Sequence, residues 1–314
     1  MRTVNSFKEN EKITEKLLVT NCTKCVTNSG LPYLNMDLRD ASGSINAKKW
    51  DASSEDEKIF VDGKVVEVHG EVILHKTGLQ MKILKAREVN EDEIDMSNFA
   101  KSSPFSFEEL KEKLLHHYNS ISDNDIKLLT KNMLARFGKE VYTYPAAITI
   151  HHDYERGLLT HITSMCDLAE FIANSYRYSD INKDLLICGI IIHDLGKIIE
   201  YEGPVIFKKT LEGKLIGHIS IVSNILKEEC DKINFKNDEI PTLLQHMILS
   251  HHGQLEFGSP VLPLTKEAMI LSLIDNLDSR IVALDKALEN VNPGEFSQKV
   301  FALENRSFYK PKNK

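Results

Sequence analysis

The stretch Gly189-Ile190-Ile191-Ile192-His193-Asp194-Leu195-Gly196-Lys197-Ile198-Ile199-Glu200-Tyr201 is apolar enough to be a buried helical element, yet His193, Asp194 and Lys197 sit in its middle. Burying an unpaired carboxylate costs on the order of several kcal/mol, so such a group is paired or holds a metal. Asp194 therefore demands partners elsewhere in the chain.

The histidines supply candidates. Of twelve, two precede residue 95 and ten follow it. His116 and His117 fall at the end of a helix pattern, where cations suit the dipole, and His246 reads as packed. The informative ones are His161 in Gly-Leu-Leu-Thr-His-Ile, His193-Asp194, His218 in Leu-Ile-Gly-His-Ile-Ser, and His251-His252 in Ile-Leu-Ser-His-His-Gly. Asp275 in Leu-Ser-Leu-Ile-Asp-Asn joins them. Each lies on or at the end of a different apolar helix pattern. One such histidine would be an ordinary core residue. Five helices each offering a His or Asp are better explained as a metal site inside a bundle. Nitrogen and carboxylate donors suit Mn²⁺, Fe²⁺, Ni²⁺, Zn²⁺ or Mg²⁺.

The rest of the chain sets the frame. Its 314 residues, 42% hydrophobic and 27% charged, are globular values that suggest about two domains. No apolar run reaches the ~18 residues of a membrane span. The charged start, MRTVNSFKENEKITEK, does not read as a secretory signal. Five scattered cysteines suit a reducing cytoplasm, and Cys22-x-x-Cys25 alone is a weak zinc signal. The net charge of −7 excludes a broadly basic nucleic-acid coat but not a local site. Asn305–Lys314, with four cations, two aromatics and no acid, suits either solvent or a phosphate backbone.

Short strand patterns at Lys16–Thr23, Pro32–Leu38, Ser44–Trp50, Lys64–Leu74 and Gln80–Glu88 alternate with turn residues. Five such strands suggest an OB-fold barrel. An acidic, proline-containing segment follows. Helix patterns then cover Phe107–Tyr118, Asp123–Phe137, Gly157–Tyr176, Asn182–His193, Gly217–Cys230, Asp238–His251 and Lys266–Asn290. Ser106 with Glu109 reads as a capping box.

The order His … His-Asp … His … His-His … Asp, with His193-Asp194-Leu195-Gly196-Lys197 as its hallmark, resembles the HD superfamily of metal-dependent phosphohydrolases. Ala47-Lys48-Lys49-Trp50-Asp51-Ala52, Gly157–His161, Glu212–His218, Ser250–Gly253, Phe257–Pro260 and Asn305–Tyr309 extend the likeness to YhaM-type 3′-to-5′ exoribonucleases. The expected fold is multidomain: an all-β OB-fold barrel over residues 1–95, a linker over 96–106, and an all-α HD-domain helical bundle over 107–314 with a basic tail.

The resemblance implies a hydrolase that digests single-stranded RNA, or single-stranded DNA, and assembles as a homo-oligomer such as a hexamer. It implies two divalent ions, Mn²⁺ first among them. His161, His193, Asp194 and Asp275 would hold one; Asp194, His218 and His251 or His252 would hold the other. Water activated between the ions would be the nucleophile. Lys197, three residues after Asp194, would contact the scissile phosphate, His152 would contact substrate or donate a proton, and Asp278 would orient a ligand. Lys48, Lys49, Trp50, Lys82, Lys85, Arg87 and Arg306 are the nucleic-acid candidates. The competing readings are a phosphohydrolase of dNTPs or cyclic nucleotides and a binding module with an inactive metal site.

Overall fold

A computed structural model describes residues 2–27, 29–75, 78–95, 98–99, 103–146, 154–203, 209–289 and 291–312. They form two compact units, one before residue 103 and one from Ser103 on.

The first unit is a closed five-stranded barrel. Its strands are β1 (Lys12–Val26), β2 (Pro32–Arg39), β3 (Ser44–Trp50), β4 (Val65–His75) and β5 (Gly78–Glu88). They pair in the order β1-β2-β3-β5-β4, with only β3 and β5 parallel. Alternation drives closure: Leu34, Met36, Leu38, Ile45, Ala47, Val66, Val68, Met81 and Ile83 point inward, and the residues between them face out. β1 is longer than the sequence suggests. A bulge between Thr20 and Thr23, with Asn21 at φ 55°, bends it so that one strand can pair with both β2 and β4. A short helix, α1 (Ser54–Ile59), follows β3 and escapes the sequence pattern. It starts with a capping box between Ser53 and Asp56.

The second unit is helical. It comprises α2 (Phe107–Ser120), α3 (Asn124–Phe137), α4 (Gly157–Ser175), α5 (Lys183–Ile192), α6 (Lys197–Glu200), α7 (Leu211–Leu215), α8 (His218–Cys230), α9 (Ile240–Ser250) and α10 (Lys266–Leu288). Single caps start four of them: Ser106 accepts the Glu109 N–H, Asn182 that of Leu185, Thr210 that of Gly213, and Thr265 that of Ala268. At α2 the side chain of Ser106 caps the helix, while the full capping box belongs to α1.

Helix α5 is the central rod. Every residue from Leu185 to Ile192 is buried, which explains why its sequence is apolar all round rather than along one stripe. It packs against α3, α4, α9 and α10. Gly189 allows the approach of α9, since a Cβ there would meet Met247 Cε. The helix ends at Ile192, so His193 and Asp194 lie at its C-terminus rather than in mid-helix as the apolar run suggests.

Candidate metal centre

Three helix ends, a second turn and a helix middle bring the predicted residues together. α5 delivers His193 and Asp194 at its C-terminus, and α9 delivers His251 and His252 at its own. α8 begins with His218, α4 carries His161 in its second turn, and Asp275 lies midway along α10.

Asp194 is the hub. Its Oδ2 lies 3.4 Å from His193 Nε2 and 3.7 Å from His161 Nε2. Its Oδ1 lies 3.5 Å from His218 Nε2 and 3.6 Å from His251 Nε2. Asp275 Oδ1 is 3.3 Å from His161 Nε2, and His252 completes a second group with His218 and His251. Thus each carboxylate oxygen of Asp194 faces its own pair of imidazoles.

The opposite nitrogen of every ring is already engaged. His161 Nδ1 lies 2.7 Å from Asp278 Oδ2, and His218 Nδ1 lies 2.8 Å from Glu200 Oε2. His193, His251 and His252 lie with Nδ1 2.7 Å from the carbonyls of Ile190, Ile248 and Phe257. A carbonyl can only accept, so Nδ1 carries the proton and Nε2 presents a lone pair. Yet His193 Nε2, His218 Nε2, His251 Nε2 and Asp194 Oδ1 are buried and make no hydrogen bond. Donor atoms at about 2.0–2.2 Å from a transition metal stand roughly 2.8–3.6 Å from one another. Four of the five separations fall in that range, and the fifth, His161 to Asp194 at 3.7 Å, lies just beyond it. Lone pairs converging with nothing to donate to them suit a divalent cation, so the residues fit the implied ions.

The charges agree. Burial raises the Asp194 carboxyl, but Lys197, His193 and His218 outweigh it and hold the group well below the usual carboxylate range. Burial likewise opposes ionisation of Asp275, and His161 overrides it. Burial, with His252 and His193 alongside, pushes His251 well down, which keeps it neutral. His161 differs: burial lowers it, but Asp275 and Asp278 raise it to about 10, so a cation must displace a proton there.

Residues 158–280 match the HD domain family, and residues 18–89 match a family described as OB-fold nucleic acid binding domain. The 3′-5′ exoribonuclease YhaM of Geobacillus sp. (strain WCH70) is 41% identical over 306 residues, covering 97% of this chain and 94% of that protein. The chain belongs to the YhaM family. Among solved structures, it is similar to the second OB-fold domain of replication protein A from Methanococcus maripaludis. That likeness has 18% identity and TM-score 0.24, covering 29% of this chain and 95% of that one. It is also similar to the protein PriB from Ralstonia solanacearum, with 16% identity and TM-score 0.23, covering 26% and 100%.

The other candidates are scattered in this YhaM-family chain. Lys197 is buried, and its Nζ donates to Asp194 Oδ2 at 2.5 Å. His152 lies outside the described residues. On the barrel, Trp50 and Tyr33 pack with ring centroids 4.7 Å apart, and Lys48 Nζ sits 5.5 and 5.8 Å from the two rings. Lys82 pairs in register with Lys48 across the parallel strands. Lys49 faces the other way and lies 3.6 Å from Asp56. Glu67 holds Arg87 in a two-pronged pair, and Lys85 lies opposite His69 on β4. Arg306 pairs with Glu304 in the C-terminal segment, where Lys310 also caps the Leu288 carbonyl. Cys22 and Cys25 are free thiols on β1, and among the described residues no cysteine joins a group able to hold a metal. His246 accepts the Leu264 N–H and is thereby occupied.

Sequence reasoning missed Tyr33 and Glu200. The signal for Glu200 was the same as for Asp194: a carboxylate amid isoleucines, within the same apolar stretch. Its Oε1 takes Lys209 at 2.6 Å while Oε2 faces His218. Gly196 explains the hallmark glycine, since a Cβ would lie 2.3 Å from the backbone oxygen of His218. Both residues seat His218. Gly196→Ala and Glu200→Gln should therefore each weaken binding of a divalent ion by about 10- to 100-fold. Isothermal titration of the chelator-stripped chain checks this, and wild-type affinity in both variants would refute the seating role.

Proposed function

We propose that this chain is a metal-dependent 3′-to-5′ exonuclease that hydrolyses the phosphodiester bonds of single-stranded RNA. The observation that carries the reading is the Asp194 carboxylate, flanked on each oxygen by imidazoles whose Nδ1 is committed. This supports two divalent ions, Mn²⁺ first among them. His161, His193, Asp275 and Asp194 Oδ2 would hold one; His218, His251, His252 and Asp194 Oδ1 would hold the other. Ions bound there supply Lewis acidity and lower the pKa of water towards neutrality.

The chain's own groups do the rest. Asp278 and Glu200 fix the ring orientations of His161 and His218. Lys197 brings a buried ammonium to the same carboxylate and offsets charge that develops on a transferring phosphoryl group. The dry wall of Ile190, Ile191 and Ile192 excludes water from behind the cluster. Asp275, His218 and His252 are less buried, so substrate enters from that side. The polarity rests on the name of the Geobacillus relative.

With Mn²⁺ added, the wild type should shorten an end-labelled RNA from its 3′ end, and Asp194→Asn should reduce the rate by about 10³-fold or more, the loss of several kcal/mol of stabilisation. Gel analysis of the products, with single-stranded DNA and free nucleotides in parallel, decides the substrate. Intact RNA beside cleaved nucleotides would overturn the proposal.

The barrel's role follows from its outer face. Tyr33, Trp50, Lys48 and Lys82 lie on adjacent strands and combine stacking surfaces with positive charge, which suits a single strand without sequence preference. Tyr33→Ala and Trp50→Ala, each in the Asp194→Asn background, should weaken RNA binding by about 1–3 kcal/mol in fluorescence anisotropy. Affinity equal to the parent would remove this face from the binding site.

Self-association and a cytoplasmic setting complete the reading. Met269, Leu273, Leu277 and Ile281 form an exposed apolar stripe along α10 at four-residue spacing, the pattern of a helix awaiting another surface. A second copy of the chain is the partner that the family resemblance favours. Light scattering should find an oligomer, and Leu273→Glu should reduce its mass. An unchanged assembly in the variant would place the interface elsewhere. Free thiols at all five cysteines suit a reducing compartment.

A further inference from the structure

A second group of imidazole and carboxylate side chains lies where α2 packs on α4, built from residues outside the Asp194 cluster. His117 is 1% exposed, although its position near the end of α2 reads in sequence as a surface charge. Its Nε2 lies 2.8 Å from Asp167 Oδ1, while Lys113 takes Asp167 Oδ2 at 2.9 Å. The carboxylate is ionised: burial opposes this, but Lys113 and His117 outweigh it. Nε2 is therefore the protonated nitrogen, and Nδ1 presents a lone pair. That Nδ1 is buried and makes no hydrogen bond.

What faces it is another acceptor. Glu170 Oε2 lies 3.8 Å from His117 Nδ1 and 3.5 Å from His116 Nε2. The other oxygen of Glu170 takes the Lys183 ammonium at 2.6 Å, which holds the carboxyl below its usual range and leaves Oε2 turned to the two rings. A proton on His117 Nδ1 would not resolve the mismatch, because 3.8 Å is too long for a hydrogen bond. His116, His117 and Glu170 each offer one donor atom, and these atoms all lie within 4.8 Å of one another. Two imidazole nitrogens and one carboxylate oxygen, with a solvent-facing side at His116, are the donor set of a three-ligand zinc site with an open fourth position. Mg²⁺ and Ca²⁺ prefer oxygen donors and fit it poorly.

We propose that His116, His117 and Glu170 form a separate transition-metal site of the Zn²⁺ class that clips α2 to α4. Asp167 fixes the His117 tautomer, and Lys183 fixes the carboxylate. The clip joins α2 to the helix that carries His161. It rests on this cluster alone and not on the activity assigned to the Asp194 centre.

The test counts bound metal on the full chain. Wild type, His116→Gln, Glu170→Gln and Asp194→Asn are stripped with chelator, dialysed against Zn²⁺ and analysed by inductively coupled plasma mass spectrometry. His116 is 67% exposed in its side chain, so its replacement leaves the core intact. His116→Gln and Glu170→Gln should each lose one equivalent of zinc, together with the thermal shift that this equivalent confers. Asp194→Asn should retain that equivalent. Wild-type stoichiometry in His116→Gln and Glu170→Gln would overturn the site. So would loss of the same equivalent in Asp194→Asn, since the metal would then belong to the Asp194 cluster.

Discussion

A neutral imidazole has one donor and one acceptor nitrogen, and at the centre of the helical unit Nδ1 of every ring faces an oxygen acceptor. That commitment governs the rest. Three buried Nε2 atoms and one buried carboxylate oxygen are left as acceptors without a hydrogen-bond donor. Leaving such a group unsatisfied costs about 1–3 kcal/mol each, more where charge is involved. The isoleucines of α5 make the surroundings drier and so make this worse. A hydrophobic wall around orphaned acceptors is stable only with a cation to complete it. The apolar stretch and the polar pair within it are therefore one device: the wall raises the demand for a cation, and both oxygens of Asp194 face the imidazoles that could share it.

The device uses helix ends because they have spare carbonyls. The last turn of a helix leaves C=O groups without intrahelical partners. His193 follows α5 and His251 follows α9, and each turns Nδ1 back onto the carbonyl three residues earlier, Ile190 and Ile248. The same contact satisfies an orphan acceptor and sets a ligand tautomer. Two unrelated helix ends thus present the same ring geometry to one carboxylate. Gly196 and Gly217 complete the arrangement around His218. The first lets the chain pass close to the His218 backbone, and the second supplies the positive φ that starts α8.

Much of this was legible in the sequence, and the gaps have physical causes. The strands at 32–39 and 44–50 were clear because alternation continues through each. The helix read over Asn182–His193 ends within one residue of that at Ile192, even though Leu195, Ile198 and Ile199 prolong the apolar pattern past it. The buried His/Asp cluster was visible as polar residues in apolar helices, a signal that survives without knowing the packing. Glu200 gave the same signal but followed so closely on Asp194 and Lys197 that it merged with them. Tyr33 could not be paired with Trp50, because that pairing depends on the register between β2 and β3. His117 looked like a helix-end charge; its burial depends on where α4 lies, which no local pattern reveals.

The two halves of the Asp194 cluster are not equivalent, and the difference is chemical. On the Oδ2 side stand two imidazoles and Asp275, with Asp278 behind His161 and Lys197 on Asp194 itself. On the Oδ1 side stand His218, His251 and His252, with Glu200 behind His218. Carboxylate oxygen favours hard ions, whereas imidazole favours the borderline ions of the later transition series. The Oδ2 half thus offers two nitrogens and two carboxylate oxygens, and the Oδ1 half three nitrogens and one. His161, gripped at both nitrogens by Asp275 and Asp278 and raised to about 10, adds a proton that competes for the first half only. Acidic solution should therefore empty the His161 half before the other.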